Sequence, residues 1–107
     1  MRARGGGSIV NIASVNGFWV EPALGAYCAA KGGVINLTRA IALENGRFGI
    51  RCNCICPGTV DTPSLGDRIN SYADPVEARK NFIARQPMGR LAQAHEIAPI
   101  IVYLASD

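Results

Sequence analysis

Two short apolar runs, about Ser8 to Ala13 and about Ile50 to Cys56, bracket a stretch from about Ala26 to Asn45 in which Ala, Leu, Ile and Val recur at helical spacing. Strand, helix and strand in that order leave the chain few ways to fold. Two strands joined through a helix of this length lie parallel, and the crossover is right-handed in nearly all known cases. The expectation is an α/β protein built on parallel sheet. The first run lacks strict alternation, which suits a strand buried on both faces. Gly5-Gly-Gly7 reads as the loop that delivers it. Residues Ser14 to Gly25 contain Gly17, Pro22 and Gly25 and read as a second loop. Phe18 and Trp19 in that loop either line a substrate pocket or pack on their own domain.

Within the helix, Tyr27 and Lys31 stand four residues apart and fall on one face, about 5–6 Å between Cβ atoms. A positive charge beside a phenol favours the phenolate, the form that exchanges a proton with a substrate near neutral pH. Ser14 follows the first apolar run, just past a strand end, where its hydroxyl can share a bond to the same substrate oxygen. A Tyr-x-x-x-Lys pair by itself is weak evidence, because such a pair is far more often an ordinary amphipathic helix with a snorkelling lysine. Its surroundings decide the matter.

Those surroundings are Gly7-Ser-Ile-Val-Asn-Ile-Ala-Ser14 before the pair and Ile50-Arg-Cys-Asn-Cys-Ile-Cys-Pro-Gly-Thr-Val-Asp-Thr62 after it. Together with Tyr27 and Lys31 they resemble the short-chain dehydrogenase/reductase family over essentially the whole chain. The resemblance implies a Rossmann-like parallel sheet, with Tyr27 as acid/base, Lys31 on the nicotinamide ribose and Ser14 orienting the substrate oxygen. It also implies that Pro57, Gly58, Thr59 and Val60 wrap the nicotinamide and that Thr62 bonds the carboxamide or a phosphate. The implied cofactor is NAD, with NADP open. Residues 63–89 stand where the family places its substrate lid. The family's Gly-rich turn after its first strand, the acidic ribose ligand, the Asn-Asn-Ala-Gly stretch and the final strand find no match. The expectation is therefore a truncated fold: a βαβ unit with lid helices and a last helix, without the N-terminal dinucleotide-binding half.

The stretch Arg51 to Leu65, with Asp74-Pro-Val-Glu-Ala-Arg79 and Arg85-Gln86, resembles the branch of the family containing cytosolic 3-hydroxybutyrate dehydrogenase type 2 and bacterial 2-keto-3-deoxy-L-fuconate dehydrogenases. By that likeness Arg68 and Arg85 hold a substrate carboxylate, through the parallel hydrogen bonds a guanidinium offers. Leu24 stands where the hydroxybutyrate enzyme carries a further arginine, so a sugar acid fits as well as a small hydroxy acid. A homodimer or homotetramer is implied too, through the small residues of the long helix. Two functional classes follow: an NAD(P)-dependent oxidoreductase, or a non-catalytic remnant that keeps the motif residues as an interaction fragment.

The 107 residues make one domain at most, and 49% hydrophobic content fits a globular α/β protein. A net charge of +3, spread along the chain without a Lys/Arg block, points away from nucleic acid and membrane surfaces. No run approaches the roughly 18 apolar residues of a membrane span, and the N-terminus lacks a signal-peptide core, so a soluble cytoplasmic protein is expected. Cys52, Cys54 and Cys56 alternate and share one face of a strand, whereas metal and redox motifs favour Cys-x-x-Cys pairs. They read as small apolar groups facing a helix layer, Cys28 as helix packing, His95 as a solvated residue, and no metal site is expected. Beyond Pro57-Gly58 the pattern predicts helices over about Ser64–Ala73 and Pro75–Arg85, the latter capped by Asp74 with proline at its first position. A last helix, about Ala94 to Ala105, is expected to bury a stripe of Ile97, Ile100, Ile101 and Leu104.

Overall fold

A computed structural model describes residues 1–107. The chain divides into two compact units, Met1–Pro57 with Ile100–Asp107, and Gly58–Pro99.

In the first unit, β1 (Gly7–Ile12) and β2 (Ile50–Ile55) pair in parallel, from Gly7 opposite Ile50 to Ile12 opposite Ile55. Between them runs α1 (Gly25–Asn45). The crossover predicted from the sequence is thus present. Helix α1 buries Cys28, Ile35 and Thr38, spaced three and four residues apart around Lys31, and lays that stripe on the strands. Thr38 is a polar member of the stripe, and its hydroxyl is satisfied twice: it donates to Val34 O and accepts from Asn11 Nδ2 at 2.9 Å. At the far end of α1 the chain reverses through Gly49, whose φ of +70° is left-handed and where a Cβ would sit 2.9 Å from Gly5 O. Ser8 Oγ and the Arg51 guanidinium donate to Leu104 O, tying the two strands to the last turn of α4 (Ala94–Ala105).

The second unit holds β3 (Val60–Asp61), α2 (Pro63–Asn70), α3 (Pro75–Ala84), β4 (Ala92–Gln93) and the start of α4. Each of α2 and α3 starts on a side-chain cap followed by proline. Thr62 Oγ1 accepts from Leu65 N, and Asp74 Oδ1 accepts from Glu77 N at 3.0 Å. The two helices pack over Ile69, Ala78, Phe82 and Leu91, with Leu65 and Ile83 at the margin. Strands β3 and β4 pair in parallel, Val60 opposite Ala92.

Several expectations change. Strand β1 is half-buried along its length, and Ile12 is exposed, because a two-stranded sheet has too few neighbours to cover both faces. The apolar stripe of α4 is not buried either: Ile97, Ile101 and Leu104 are half-buried and Ile100 is 45% exposed. Strands β3 and β4 were not anticipated, and α2 ends at Asn70, short of Ala73. No helix is long and apolar enough to cross a membrane.

Candidate functional site

In the first unit the parallel register brings the carboxyl ends of β1 and β2 side by side. Ala13 N donates to Ile55 O at 2.8 Å, and one step further Val15 N donates to Pro57 O at 3.1 Å. Ser14, held between those two bonds, is extended (φ −165°) and only 7% exposed. It opens a short 3-10 turn, Val15–Gly17, which presses on α1. A Cβ on Gly17 would lie 2.5 Å from Ile35 Cδ1 and 3.0 Å from Lys31 O, so only glycine allows this approach. The ends of strands in parallel sheets are where such folds bind ligands, and Ser14 and Pro57 both stand there.

Helix α1 delivers the other two groups. Lys31 lies within the buried stripe of α1, so its side chain runs toward the sheet and its Nζ donates to Ile12 O at 2.9 Å. From that anchor the ammonium sits 5.7 Å from the ring centroid of Tyr27, one turn earlier and 45% exposed. Tyr27 and Lys31 thus lie on one face of α1 with the ammonium over the ring, and a strand-end carbonyl fixes the cation. An ammonium has three donors, and this bond uses one of them.

Beside Ser14 lies a residue that the sequence reading passed over. Asn16 N donates to Ser14 Oγ at 3.2 Å, and Ser14 Oγ stands 3.5 Å from Asn16 Oδ1. The Asn16 amide nitrogen, Nδ2, is buried without an acceptor. A buried donor left unpaired costs about 1–3 kcal/mol. An Asn two residues after a strand-end Ser could have been noticed, since Asn and Ser at that spacing make local turns.

The remaining predicted residues belong to the second unit. Gly58 and Thr59 form a loop that Gln86 clamps: Gln86 Oε1 accepts from Thr59 N at 3.3 Å, and Gln86 Nε2 donates to Thr59 Oγ1 at 3.0 Å. Val60 is paired in β3, and Thr62 caps α2. Arg68 and Arg85 converge on one ring, their guanidinium carbons 5.5 and 5.2 Å from the Phe82 centroid. Arg85 also lines an open cavity of about 270 Å³ with Asp74, Glu77, Asn81 and Tyr72. Phe18 and Trp19 project into solvent.

All four cysteines are free thiols. Burial, with Cys54 adding to it, pushes the Cys52 and Cys56 thiols up from their ordinary range, which keeps them protonated near neutral pH. No group of three or more His, Cys, Asp or Glu side chains is placed to hold a metal.

A family model described as Enoyl-(Acyl carrier protein) reductase matches residues 1–107. A Danio rerio protein named dehydrogenase/reductase SDR family member 6 is 50% identical over 109 residues, covering 100% of this chain and 44% of that protein. The 2-keto-3-deoxy-L-fuconate dehydrogenase of Xanthomonas campestris is 48% identical, over 100% of this chain and 36% of that protein. Among solved structures, an NAD⁺-bound xylitol dehydrogenase superposes with a TM-score of 0.90 at 29% identity, over 100% of this chain and 45% of the other. The chain spans less than half the length of the curated relatives it matches.

Proposed function

The chain belongs to the short-chain dehydrogenase/reductase family, and from that premise we propose that it carries the acid/base centre of an NAD(P)-dependent enzyme oxidising a secondary alcohol or reducing the matching ketone. The observation that carries this reading is the Lys31 ammonium, fixed on Ile12 O and facing Tyr27 at the strand end where Ser14 lies. Tyr27 takes the alcohol proton in one direction and returns it in the other. As the proton leaves, the ammonium stabilises the charge that develops on the phenol oxygen, and it does so from a position already set. Ser14 holds the substrate oxygen against Tyr27.

The residues present fit the nicotinamide end of a dinucleotide, since Lys31 keeps two donors for ribose hydroxyls after its bond to Ile12 O. Lys31 and Tyr27 would hold the ribose, Pro57, Gly58, Thr59 and Val60 the ring, and Thr62 the carboxamide or a phosphate. When bound, the nicotinamide supplies the hydride acceptor or donor. An NAD⁺-bound neighbour favours NAD over NADP. The four unpaired thiols suit a reducing, cytoplasmic compartment.

The substrate class is a small hydroxy acid or sugar acid. Arg68 and Arg85, whose guanidinium carbons lie 5.5 and 5.2 Å from the Phe82 centroid, are side chains of the kind that fork onto a carboxylate. Small residues along α1, with Leu37 and Leu43 exposed, favour a homodimer or homotetramer. In the intact enzyme, Tyr27→Phe lowers turnover by about 10²–10⁴-fold with the fold unchanged by circular dichroism. Near wild-type turnover in that variant overturns the acid/base assignment. Arg68→Ala and Arg85→Ala each raise KM for the acid substrate, and an unchanged KM in both rules out carboxylate anchoring by this pair.

A further inference from the structure

The Ser14 hydroxyl is not left to orient itself. Its oxygen accepts from Asn16 N at 3.2 Å, which fixes where it lies, while Asn16 Oδ1, the acceptor open to its proton, stands 3.5 Å from that oxygen, longer than the roughly 2.5–3.0 Å usual for an O–H···O bond. The oxygen is therefore placed and the proton is loosely held. A hydroxyl that must turn its proton to an incoming substrate oxygen needs both conditions. The turn that carries Asn16 is itself pinned, by Gly17 N to Ser14 O at 2.9 Å and by the Gly17 approach to Lys31 O.

The same carboxamide keeps a buried Nδ2 without an acceptor. Packing alone gains nothing from an amide here, because an apolar side chain of the same shape would remove the unsatisfied donor. The carboxamide earns its place through its other end, the Oδ1 that faces Ser14.

We propose that Asn16 is a positioning residue for catalysis: it sets the resting direction of the Ser14 hydroxyl and releases it to the substrate oxygen. The inference rests on the acid/base reading of Ser14 and Tyr27 above. Asn16 acts through Ser14 and touches neither substrate nor cofactor.

The test is a double-mutant cycle in the intact enzyme, with Tyr27→Phe as control. Asn16→Leu, of similar shape and without polar atoms, lowers kcat by roughly 10–100-fold, as misplacing a catalytic group does, with KM within about twofold of the parent. Its melting temperature is equal to or above the parent's, since the unsatisfied donor is gone. Ser14→Ala/Asn16→Leu is no slower than Ser14→Ala alone, because nothing remains to be positioned. Additive losses in the double variant, or an unchanged kcat in Asn16→Leu, overturn the proposal while leaving the Tyr27 assignment intact. A fall in kcat accompanied by a fall in melting temperature assigns Asn16 to structure and also overturns it. Turnover that survives in Tyr27→Phe removes the reading beneath it and the proposal together.

Discussion

At the scale of single residues, the sequence exposed what depends on spacing along one element. Tyr27 and Lys31 were legible because a helix places residues four apart on one face, and the pair is found there. The anchor of Lys31 on Ile12 O was not legible, since it depends on how α1 is rotated on the sheet. Gly17 was read as a loop residue, yet its backbone lies so close to α1 that an added Cβ would stand 3.0 Å from Lys31 O, which makes it the joint that seats Ser14 against α1. Gly17→Ala is expected to destabilise the fold by about 1–3 kcal/mol through overpacking and to lower the melting temperature. An unchanged melting temperature would show that the turn moves freely. A second residue-scale prediction concerns Glu96. Hydrogen bonds from Arg90 and from Gln93 N lower its carboxyl from 4.5 to about 2. Because the folded value is depressed, this carboxylate contributes stability above about pH 4.5 and loses it as pH falls toward 2. Glu96→Gln should therefore flatten the acid limb of the unfolding curve in that window, and NMR titration of the Glu96 side chain should give a midpoint well below that of an ordinary glutamate. A midpoint near 4.5 excludes the Arg90 contact in solution.

At the scale of elements, length decided what could be read. Helix α1 and strands β1 and β2 are long enough for a pattern to show, and they appear within a residue or two of their expected bounds. Strands β3 and β4 have two residues each, too few for any alternation, and they form only because the chain brings Val60 beside Ala92. Capping tells a similar story. Asp74 before Pro75 announced α3, whereas Thr62 before Pro63 was read for a ligand contact, and the structure shows it closing the first turn of α2. Replacing either cap by alanine should cost about 1 kcal/mol. Asp74→Ala should lower stability alone, while Thr62→Ala should lower stability and raise the KM for the dinucleotide. If Thr62→Ala leaves that KM unchanged, the threonine serves the helix only.

At the scale of the whole molecule, the question is what 107 residues do without further chain. Dinucleotide binding in parallel α/β folds depends on free backbone donors at a helix N-terminus behind a Gly-rich turn. Helices α2 and α3 each give one first-turn donor to a side-chain cap, Thr62 or Asp74, α4 carries Glu96 in its first turn, and α1, which starts at Gly25 after Leu24, has no Gly-rich strand-to-helix turn before it. The backbone cradle that such folds offer a pyrophosphate is therefore not found among these residues. The sheet has a matching deficit. Two strands leave N–H and C=O groups unpaired along both edges, and a sheet of that size is marginal in water. Large apolar side chains stand in solvent as well, among them Trp19, Leu43, Val102 and Tyr103. The expected outcome for residues 1–107 prepared alone is no saturable heat on titration with NAD⁺ or NADP⁺, and a broad melt accompanied by self-association. Adding a polypeptide that supplies strands beside β1 and a Gly-rich turn should confer dinucleotide binding and a cooperative transition together, because one set of added contacts would extend the sheet and supply the missing backbone donors. Micromolar NAD⁺ binding with a cooperative melt by residues 1–107 alone would show that the acid/base centre and the dinucleotide site are both contained in this chain.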